Sequence, residues 1–509
     1  MRFDPDLPPG GTTRDWLDFR AENEARQISH VFPDDDSTLS WAELRDRAAE
    51  IAGNLAGMGI AKGDSVALMM PNGRNAVLGL FGALYGGFRA TMINLVAGAD
   101  AIGYALSHSG AKIVLVAETQ RDLLDRALVG NQNTPVVVTT GTGGLAWPAD
   151  LVAAAPHPHG ADDDALLMYT SGTTGRPKGV LHSHASLLAG GWTTTAAHHL
   201  TEADRAMCVL PIYHINGLCV TIMGPLIAGG TAIVCERFSA GRFWSLCEEY
   251  RATWFSVVPT IISHLLHGEK TPDLTTRSRI RFGRSASSAL AVEVQSAFEQ
   301  RFGIPIVETM GLTETAAQIL SNPLPPGMRK IGSPGRGVGN EVAIMDAEMR
   351  PLPPETEGEI CVRGPNVMRG YLNNPEATAA ALTADRWLRT GDLGRIDKDG
   401  YVFVTGRLKE LIIKGGENIA PREIDEALYA HPDVIEAAAF ARKCARYGER
   451  VEAAVALRPG SGLRIEELTQ LCEDRLGKFK SPDVIHLMAE LPKGPSGKIQ
   501  RLRLAQMTE

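Results

Sequence analysis

The segment Tyr169–Gly179, with the sequence YTSGTTGRPKG, concentrates residue types that bind phosphate. Glycines allow a tight turn and a close approach of the backbone to a ligand, and successive backbone N–H groups can bind phosphate oxygens. Hydroxyls and positive charges in the segment come from Ser171, Thr173, Thr174, Arg176 and Lys178. The apolar run ALLMYT (165–170) predicts a buried strand that leads into the turn. The sequence therefore predicts a loop that wraps a triphosphate.

The familiar nucleotide-binding P-loop, GxxxxGK[ST], is a different arrangement. Counted from Gly172, its second glycine would stand at position 177, which is Pro177, and Lys178 is followed by Gly179 instead of Ser or Thr. A flexible linker rich in Ser, Thr and Gly is the alternative interpretation. Linkers of that composition do not typically follow a buried strand and end in two cations, so we favour the phosphate loop.

Further motifs follow the loop in order along the chain. They are PIYHINGL (211–218), ETMGLTE (308–314), YLNNPEAT (371–378), the long run from RWLRTGDLG to REIDEAL (386–428) and LPKGPSGKIQR (491–501). With the loop, this series resembles the adenylate-forming superfamily, which includes acyl-CoA synthetases, adenylation domains of peptide synthetases and firefly luciferase. The resemblance extends over nearly the whole chain, and it implies an AMP-forming acid–CoA ligase.

Such a ligase works in two steps. A carboxylate attacks the α-phosphate of ATP to give an acyl-adenylate and pyrophosphate, and the thiolate of coenzyme A then displaces AMP. The resemblance therefore implies ATP, Mg²⁺ and coenzyme A as cofactors, with a carboxylic acid as the small-molecule partner. The protein must hold the polyphosphate charge, neutralise the reacting phosphoryl group and keep water from the acyl-adenylate.

The resemblance also assigns nucleotide-binding roles. The residues implied for the β- and γ-phosphates are Thr170, Ser171, Gly172, Thr173, Thr174, Gly175 and Lys178. Thr313 is implied to bind the α-phosphate, and Glu314 to hold Mg²⁺ as a hard oxygen ligand. Asp392, predicted in a loop, is implied to accept the ribose hydroxyls, and Arg407 to contact ribose or phosphate. Without the motif series, each would be read as an ordinary turn, a helix start or a solvated arginine.

The resemblance implies that Lys498, in the motif GPSGKIQR, is the adenylation lysine, and Pro495 and Gly497 beside it make a loop that can project its side chain. Its ammonium would neutralise the charge that grows between the carboxylate and the α-phosphate. The full predicted catalytic set is Lys498, Thr313, Glu314 and His214. Without the family resemblance, Lys498 would be read as one surface lysine in a basic tail.

The second step requires a different set of neighbours, and the resemblance implies a hinge at Lys409. A rotation of the C-terminal domain about this point would remove Lys498 and admit coenzyme A. Gly415, Gly416 and Glu417 would then face the site, since the two glycines permit a narrow tunnel for the pantetheine arm. The alternative is an ordinary Gly-Gly hairpin turn.

Two departures from the family pattern fall in the expected adenine and acyl region. Met310 precedes GLTE where the family usually has Tyr; a thioether can also pack on an aromatic face, so Met310 and Gly311 stay in the predicted adenine site. The segment ASSAL (286–290) replaces a Gly-Ala-Ala-Pro-Leu pattern and adds Ser287 to the same region.

The residues expected around the acid are polar. They are His214, Asn216, Arg284, Ser285 and Gln318. A tunnel for a long acyl chain would have an apolar wall, so these residues favour a short, polar or dianionic acid whose second carboxylate or sulfonate pairs with Arg284. SASSALA (285–291) and ILSNPLPP (319–326) also resemble oxalate–CoA ligases. The alternative is that Arg284 only forms a salt bridge with a neighbouring strand.

Other functions stay open at this point. The enzyme could load a separate carrier protein, or it could activate a medium-chain or aromatic acid. A nucleotide-sensing module without chemistry is a third alternative. The joint presence of Glu314, Asp392, Arg407 and Lys498 argues against that third alternative.

The composition narrows the partners. The formal net charge of -8 argues against nucleic acid as the main partner. The longest apolar stretch, Leu218–Val234, is broken by glycines and a proline, so we expect a core helix and strand there and no membrane insertion. The seven cysteines lack CxxC spacing and indicate buried thiols and no zinc site. We expect a cytoplasmic enzyme, with a homodimer as one possible assembly.

The elements that must position these residues follow an α/β pattern. Apolar spacing predicts a helix within Thr38–Ile60, capped by Ser40 with Glu43, and buried strands alternate with helices after it. Short strands with Pro/Gly turns near residue 335 predict a small β-barrel. We predict a domain of two α/β subdomains and this barrel at 1–408, which binds ATP and the acid, and a mobile α/β domain with the catalytic lysine at 409–509. One continuous domain with a charged hairpin is the alternative.

Overall fold

The computed structural model describes residues 3–131, 134–141, 143–170, 177–444, 446–494 and 499–508. Its α-helices are α1 (Thr13–Asn23), α2 (Trp41–Gly57), α3 (Arg74–Gly86), α4 (Ala99–Ser109), α5 (Arg121–Leu128), α6 (His184–His198), α7 (Gly224–Ala228), α8 (Phe243–Glu249), α9 (Pro259–His267), α10 (Leu274–Arg279), α11 (Val292–Phe302), α12 (Pro375–Ala381), α13 (Pro421–Tyr429), α14 (Ile465–Lys480) and α15 (Arg501–Met507). Short 3₁₀ turns lie at Glu118–Gln120 and Thr313–Thr315, and a π-helix lies at Asn216–Met223.

The strands up to residue 312 are β1 (Ile28–Phe32), β2 (Ser37–Ser40), β3 (Ser65–Met69), β4 (Arg89–Met92), β5 (Ile113–Val116), β6 (Val136–Gly141), β7 (Gly144–Leu145), β8 (Asp164–Thr170), β9 (Lys178–Ser183), β10 (Arg205–Cys208), β11 (Thr231–Val234), β12 (Trp254–Val257), β13 (Phe282–Ser285) and β14 (Ile306–Leu312). The later strands are β15 (Ala317–Ser321), β16 (Arg336–Gly337), β17 (Glu341–Met345), β18 (Gly358–Arg363), β19 (Gly370–Tyr371), β20 (Leu388–Ile396), β21 (Val402–Arg407), β22 (Ile412–Lys414), β23 (Glu417–Ile419), β24 (Val434–Cys444), β25 (Gly448–Leu457) and β26 (Val484–Leu487).

Two large sheets form the first part of the molecule. One has the order β16-β15-β14-β13-β12-β10-β11-β1-β2, and the other has the order β19-β9-β8-β4-β3-β5-β6-β7. The centres of both sheets are parallel: β13 pairs with β12 and β14, and β4 pairs with β3 and β8, in the same direction. Antiparallel strands, including β9 and β15, lie toward the edges. The predicted α/β class with largely parallel sheets is confirmed.

Helix α2 shows how local sequence sets these layers. The side chain of Ser40 accepts from the Glu43 backbone N–H at 3.2 Å, and the Glu43 carboxylate accepts from the Ser40 N–H at 2.7 Å. This is the predicted capping box. Its apolar face, with Leu44, Ile51 and Leu55, is buried in the main hydrophobic core. The helix therefore covers one sheet and presents its charged face to solvent.

Two smaller sheets complete the fold. The region predicted as a small β-barrel forms an antiparallel sheet in the order β17-β18-β20-β21. After residue 411, the order β23-β22-β25-β24, with β26 beside β25, carries α13 and α14 on a separate core that includes Ile412, Ile424 and Val451. The predicted boundary at 408/409 lies in the turn between β21 and β22, and it stays a prediction.

The apolar stretch Leu218–Val234 covers most of the π-helix, followed by α7 and β11, as the prediction of a core helix and strand expected. Within the described residues, none of the helices combines the length and the apolar character that crossing a bilayer requires. The cysteines with buried free thiols are Cys208, Cys219, Cys235, Cys247, Cys361 and Cys472. Cys444 also has a free thiol and is partly buried.

Candidate active site

The predicted phosphate loop joins two antiparallel strands. Thr170 at the end of β8 lies opposite Lys178 at the start of β9, and Tyr169 lies opposite Gly179. The Thr170 hydroxyl contacts the Lys178 carbonyl oxygen at 3.5 Å. The strand leading into the loop is thus confirmed, whereas the strand leaving it was missed. The predicted ligands Ser171, Gly172, Thr173, Thr174 and Gly175 lie outside the described residues, and their roles stay predictions.

Lys178 and Glu314 approach the same aromatic ring. The Lys178 ammonium lies 4.7 Å from the centroid of the Tyr371 ring, a cation–π distance. The Tyr371 hydroxyl donates to Glu314 Oε1 at 2.9 Å. Burial and the neighbouring Glu314 charge raise the pKa of Tyr371, so its hydroxyl keeps its proton. Tyr371 was not predicted as a site residue, although it begins the motif YLNNPEAT.

Thr313 and Glu314 lie in a short 3₁₀ turn between β14 and β15, where an α-helix start was the alternative. The Thr313 carbonyl accepts from His182 Nε2 at 2.7 Å, and the Glu314 carbonyl accepts from the Met368 N–H at 2.8 Å. Burial lowers the pKa of His182 to about 4, so this imidazole is neutral. The backbone of the turn is therefore held from two sides.

Gly311 allows the strand before that turn to pass close to its partner. A Cβ atom at this position would stand 1.7 Å from the Ala317 carbonyl oxygen, where no side chain fits. The register of β14 and β15 shifts between Met310 and Gly311. The glycine is therefore required by packing within this site, a reason that the motif alone could not supply.

Asp392 and Arg407 face each other on β20 and β21. Arg407 Nε lies 3.2 Å from Asp392 Oδ1. The Asp392 charge raises the pKa of Arg407. The expectation that Asp392 lies in a loop is wrong, because the residue is within β20 next to a register shift between Leu393 and Gly394.

A cavity of about 220 Å³ lies where these elements meet the C-terminal part of the chain. Of the predicted nucleotide ligands, it is lined by Ser287, Met310, Gly311, Asp392 and Arg407. Across from them, residues that follow the predicted boundary also contribute, among them Arg422, Ile499 and Arg501. The structure thus brings together predicted ligands that are far apart in sequence. Lys498 itself lies outside the described residues.

Glu308 also lines this cavity, and it was not predicted. It is 3% exposed, its Oε1 accepts from the Leu290 N–H at 3.3 Å, and its Oε2 has no hydrogen-bond partner among the described residues. Burial raises the pKa of this carboxyl. An unsatisfied buried acceptor in a cavity wall is suited to a ligand N–H group. Its sequence signal was its place at the start of ETMGLTE.

Arg284, on β13, is buried in a neutral polar network and is 1% exposed. Its Nη1 donates to Asn216 Oδ1 at 2.7 Å and to the Ser256 hydroxyl at 3.1 Å, and its Nε donates to Gln318 Oε1 at 3.1 Å. Among the described residues, no carboxylate forms an ion pair with Arg284, so a salt bridge to a neighbouring strand does not account for it. Burial lowers its pKa to about 9.

The network continues to the cavity through Asn216, whose Nδ2 donates to the Ser287 hydroxyl at 3.1 Å. Two other predicted acid-site residues carry unsatisfied buried atoms: His214 Nε2 and the Ser285 hydroxyl have no hydrogen-bond partner in the described parts of the chain. Burial lowers the pKa of His214 to about 4, so its ring is neutral. Buried polar atoms without partners cost free energy unless a ligand or water satisfies them.

The predicted hinge residue Lys409 and the residues expected to receive coenzyme A are not part of this cavity. Lys409 is exposed in the turn between β21 and β22. Gly415 and Gly416, with φ of 62° and 90°, form the tip of the β22–β23 hairpin beside exposed Glu417. These positive φ values explain why both tip residues are glycine. Their role toward coenzyme A stays a prediction.

Comparison with protein families gives two matches that cover most of the chain. A family model described as AMP-binding enzyme matches residues 17–372. A second, described as AMP-binding enzyme C-terminal domain, matches residues 423–498. The turn at 408–410 lies between the two matched ranges.

Several known proteins are similar to this chain over most of its length and most of their own. The sulfoacetate–CoA ligase of Cupriavidus necator is 44% identical over 476 residues, which cover 93% of this chain and 93% of that protein. The oxalate–CoA ligase of Arabidopsis thaliana is 37% identical over 482 residues, covering 92% and 93%. The crystal structure of ATP-bound MatB from Rhodopseudomonas palustris matches with a TM-score of 0.89 at 30% identity, covering 97% of this chain and 99% of that chain.

Proposed function

The chain belongs to the family of AMP-binding enzymes and is an AMP-forming acid–CoA ligase, and we propose that the acid it activates is short and carries a second anionic group. The acid carboxylate attacks the α-phosphorus of ATP, and the bond to the bridging oxygen of pyrophosphate breaks. The sulfur of coenzyme A then attacks the acyl carbonyl, and AMP leaves. Enzymes of this class use ATP, Mg²⁺ and coenzyme A.

The observation that carries the substrate proposal is the state of Arg284. A buried guanidinium surrounded by neutral acceptors is unfavourable unless an anion compensates it. Its Nη2 makes no hydrogen bond to any residue that the structure describes, whereas Nε and Nη1 are occupied. A carboxylate or sulfonate on the acid would accept from Nη2 and balance the charge. Sulfoacetate and oxalate, in the names of two relatives, each carry two anionic groups.

The polar atoms around Arg284 support an acid of small size. Asn216 and Gln318 each direct a carbonyl oxygen at the guanidinium, and His214 and Ser285 leave polar atoms without partners. We propose that His214 and Ser285 donate to the acid or to the forming acyl-adenylate. A long acyl chain packed here would bury these groups unsatisfied, which costs about 1–3 kcal/mol for each group.

For the nucleotide, we propose that Asp392 accepts the ribose hydroxyls while Arg407 holds its carboxylate in place. Glu308 Oε2 would accept the exocyclic amine of adenine, and Met310 would pack against the base. The basis is that all four side chains line one cavity. Thr170, Lys178 and Thr313 are proposed to bind the phosphates.

Glu314 fits the role of magnesium ligand. Mg²⁺ is usually held by one or two carboxylates together with waters and substrate phosphates. Among the described residues, no group of three His, Cys, Asp or Glu side chains could hold a metal ion by itself. Glu314 supplies one carboxylate, and its Oε2 accepts no hydrogen bond from the described residues. When bound, the ion would neutralise phosphate charge at the transition state.

We propose that residues 1–408 form the ATP- and acid-binding domain and that residues 409–509 rotate about Lys409. Lys498 would serve the first step, and the tip with Gly415, Gly416 and Glu417 would serve the second. The proposal is supported by the separate core of the C-terminal sheet and by the cavity between the two parts. A cytoplasmic location and a homodimer stay predictions, and sedimentation of the purified enzyme would test the second.

The test is pyrophosphate release with a panel of acids at saturating Mg²⁺ and ATP. Sulfoacetate and acetate form a matched pair that differ only by the sulfonate, and oxalate, malonate, benzoate and a long fatty acid complete the panel. We expect sulfoacetate or oxalate to exceed acetate by about tenfold or more in kcat/KM. Activity with benzoate or the fatty acid alone would contradict the proposal. Acceptor assays with free coenzyme A and with a carrier protein separate the two acceptor classes.

A further inference from the structure

Tyr371 lies between Lys178 and Glu314, two residues predicted to take part in the triphosphate site. It lies on the two-residue strand β19, which pairs with β9 so that Tyr371 is opposite Val180 and Gly370 is opposite Leu181. The neighbouring Leu372 N–H donates to the Gly179 carbonyl at 2.8 Å, and the Tyr371 N–H donates to the Thr378 hydroxyl at 2.9 Å. The ring is therefore fixed directly beside the strand that leaves the phosphate loop.

The Tyr371 side chain contacts two groups of opposite charge, one through its hydroxyl and one through its ring face. The hydroxyl donates to Glu314 Oε1 at 2.9 Å, and the ring face lies 4.7 Å from the Lys178 ammonium. The two charged residues are 136 positions apart, with Tyr371 a further 57 positions beyond Glu314. Because the hydroxyl occupies Oε1 only, Oε2 of Glu314 stays available to a cation.

We infer that Tyr371 is a positioning residue that orients the Glu314 carboxylate toward the Mg²⁺ ion of ATP and supports the Lys178 ammonium at the base of the phosphate loop. A carboxylate that ligates a metal is commonly held by a hydrogen bond from an outer residue, and loss of such a partner typically weakens metal binding. The inference rests on the proposed role of Glu314 as magnesium ligand.

The experiment measures equilibrium binding of ATP by calorimetry, without acid, in EDTA and at saturating Mg²⁺. The quantity of interest is the gain in ATP affinity that Mg²⁺ produces. We expect Tyr371→Phe to bind ATP like the parent protein in EDTA and to lose about tenfold or more of the Mg²⁺-dependent gain. Tyr85→Phe is the matched control, since the Tyr85 hydroxyl also donates to a carboxylate, Asp18 Oδ1, at 2.9 Å and lies outside the site.

Three further variants make the outcome decisive. Glu314→Gln tests the premise: a full Mg²⁺-dependent gain in this variant would overturn the role of Glu314 itself. In a Glu314→Gln background, Tyr371→Phe should cause no further loss, because both changes remove the same interaction. Tyr371→Leu also removes the ring, so we expect weaker ATP binding even in EDTA as Lys178 loses its support.

The inference about Tyr371 is overturned if Glu314→Gln abolishes the gain but Tyr371→Phe keeps it in full. It is also overturned if Tyr371→Phe lowers ATP affinity equally in EDTA and in Mg²⁺, because that result indicates a structural role only. If Tyr371→Leu binds ATP in EDTA as tightly as the parent protein, the part of the inference that concerns Lys178 is contradicted.

Discussion

Replacing Arg284 with Met removes the buried guanidinium and leaves an unbranched apolar side chain in its place. Asn216, Ser256 and Gln318 then lose the donor that they share. Gln318 Oε1 keeps its hydrogen bond with His198 Nε2 at 3.1 Å, and Asn216 Oδ1 keeps the one from the Ser256 hydroxyl at 3.4 Å. Each lost hydrogen bond therefore costs about 0.5–1.5 kcal/mol, offset in part by removal of a buried charge. We therefore expect a folded variant with a reduced free energy of unfolding.

A larger effect is expected on kcat/KM for an acid with a second anionic group. One hydrogen bond from Nη2 to an anionic group contributes about 1.5–3 kcal/mol. At about 1.36 kcal/mol per tenfold in rate, its loss lowers kcat/KM for a dianionic acid by about 10- to 150-fold. Acetate has no second anion and loses none of this interaction. The ratio of kcat/KM for sulfoacetate over acetate should therefore fall by the same factor.

The assay is pyrophosphate release with each acid at saturating ATP, with ATP affinity measured separately. Arg281→Met is the matched control: Arg281 lies three positions earlier, and its charge is already paired with Asp204, with Nη1 at 2.6 Å from Oδ1. The Arg281→Met variant should have a lower free energy of unfolding but an unchanged ratio of kcat/KM for sulfoacetate over acetate. Equal losses for sulfoacetate and acetate in Arg284→Met, or full turnover of the preferred diacid, would refute the reasoning.

Lys498→Ala should lower acyl-adenylate formation by about 100-fold or more, with little change in ATP affinity, as measured by pyrophosphate exchange and calorimetry. Gly311→Ala should lower the free energy of unfolding in urea by about 1–3 kcal/mol or more, because its Cβ would stand 1.7 Å from the Ala317 oxygen. Stability should also fall as pH drops from 6.5 toward 4: burial lowers the pKa of His182 and His214 from the ordinary 6.5 to about 4. The unfolded chain binds those protons first, which costs about 1.4 kcal/mol per pH unit for each histidine.

Each of these predictions has a contradicting outcome. Loss of thioester formation from a synthetic acyl-adenylate in Lys498→Ala would show that the lysine is not specific to the first step. Gly462→Ala is the control for Gly311→Ala, since nothing lies within 4 Å of its added Cβ. Equal free energies of unfolding of the two variants would contradict the packing argument. A urea midpoint that is the same at pH 7 and pH 5 would contradict the histidine argument.

Local sequence predicted those features that depend on neighbours in the chain. The α/β class follows from apolar spacing, and the Ser40 cap is satisfied by Glu43 only three residues later. The strand before the phosphate loop was predicted for the same reason. Asp392 was misplaced in a loop because the strand that carries it depends on pairing with β21, which is not visible in the local sequence.

The chemistry expected of the site could be predicted from the sequence because the groups predicted to bind nucleotide and acid occur in short contiguous motifs. The contacts between those motifs were decided by the tertiary structure. Arg284 lies 68 residues from Asn216, and Tyr371 lies 57 residues from Glu314; such pairs depend on strand order, which no local pattern encodes. For the same physical reason, only the folded chain shows that Arg284 lacks a carboxylate partner among the described residues and that Glu308, in the cavity wall, has an oxygen without a hydrogen-bond partner among them.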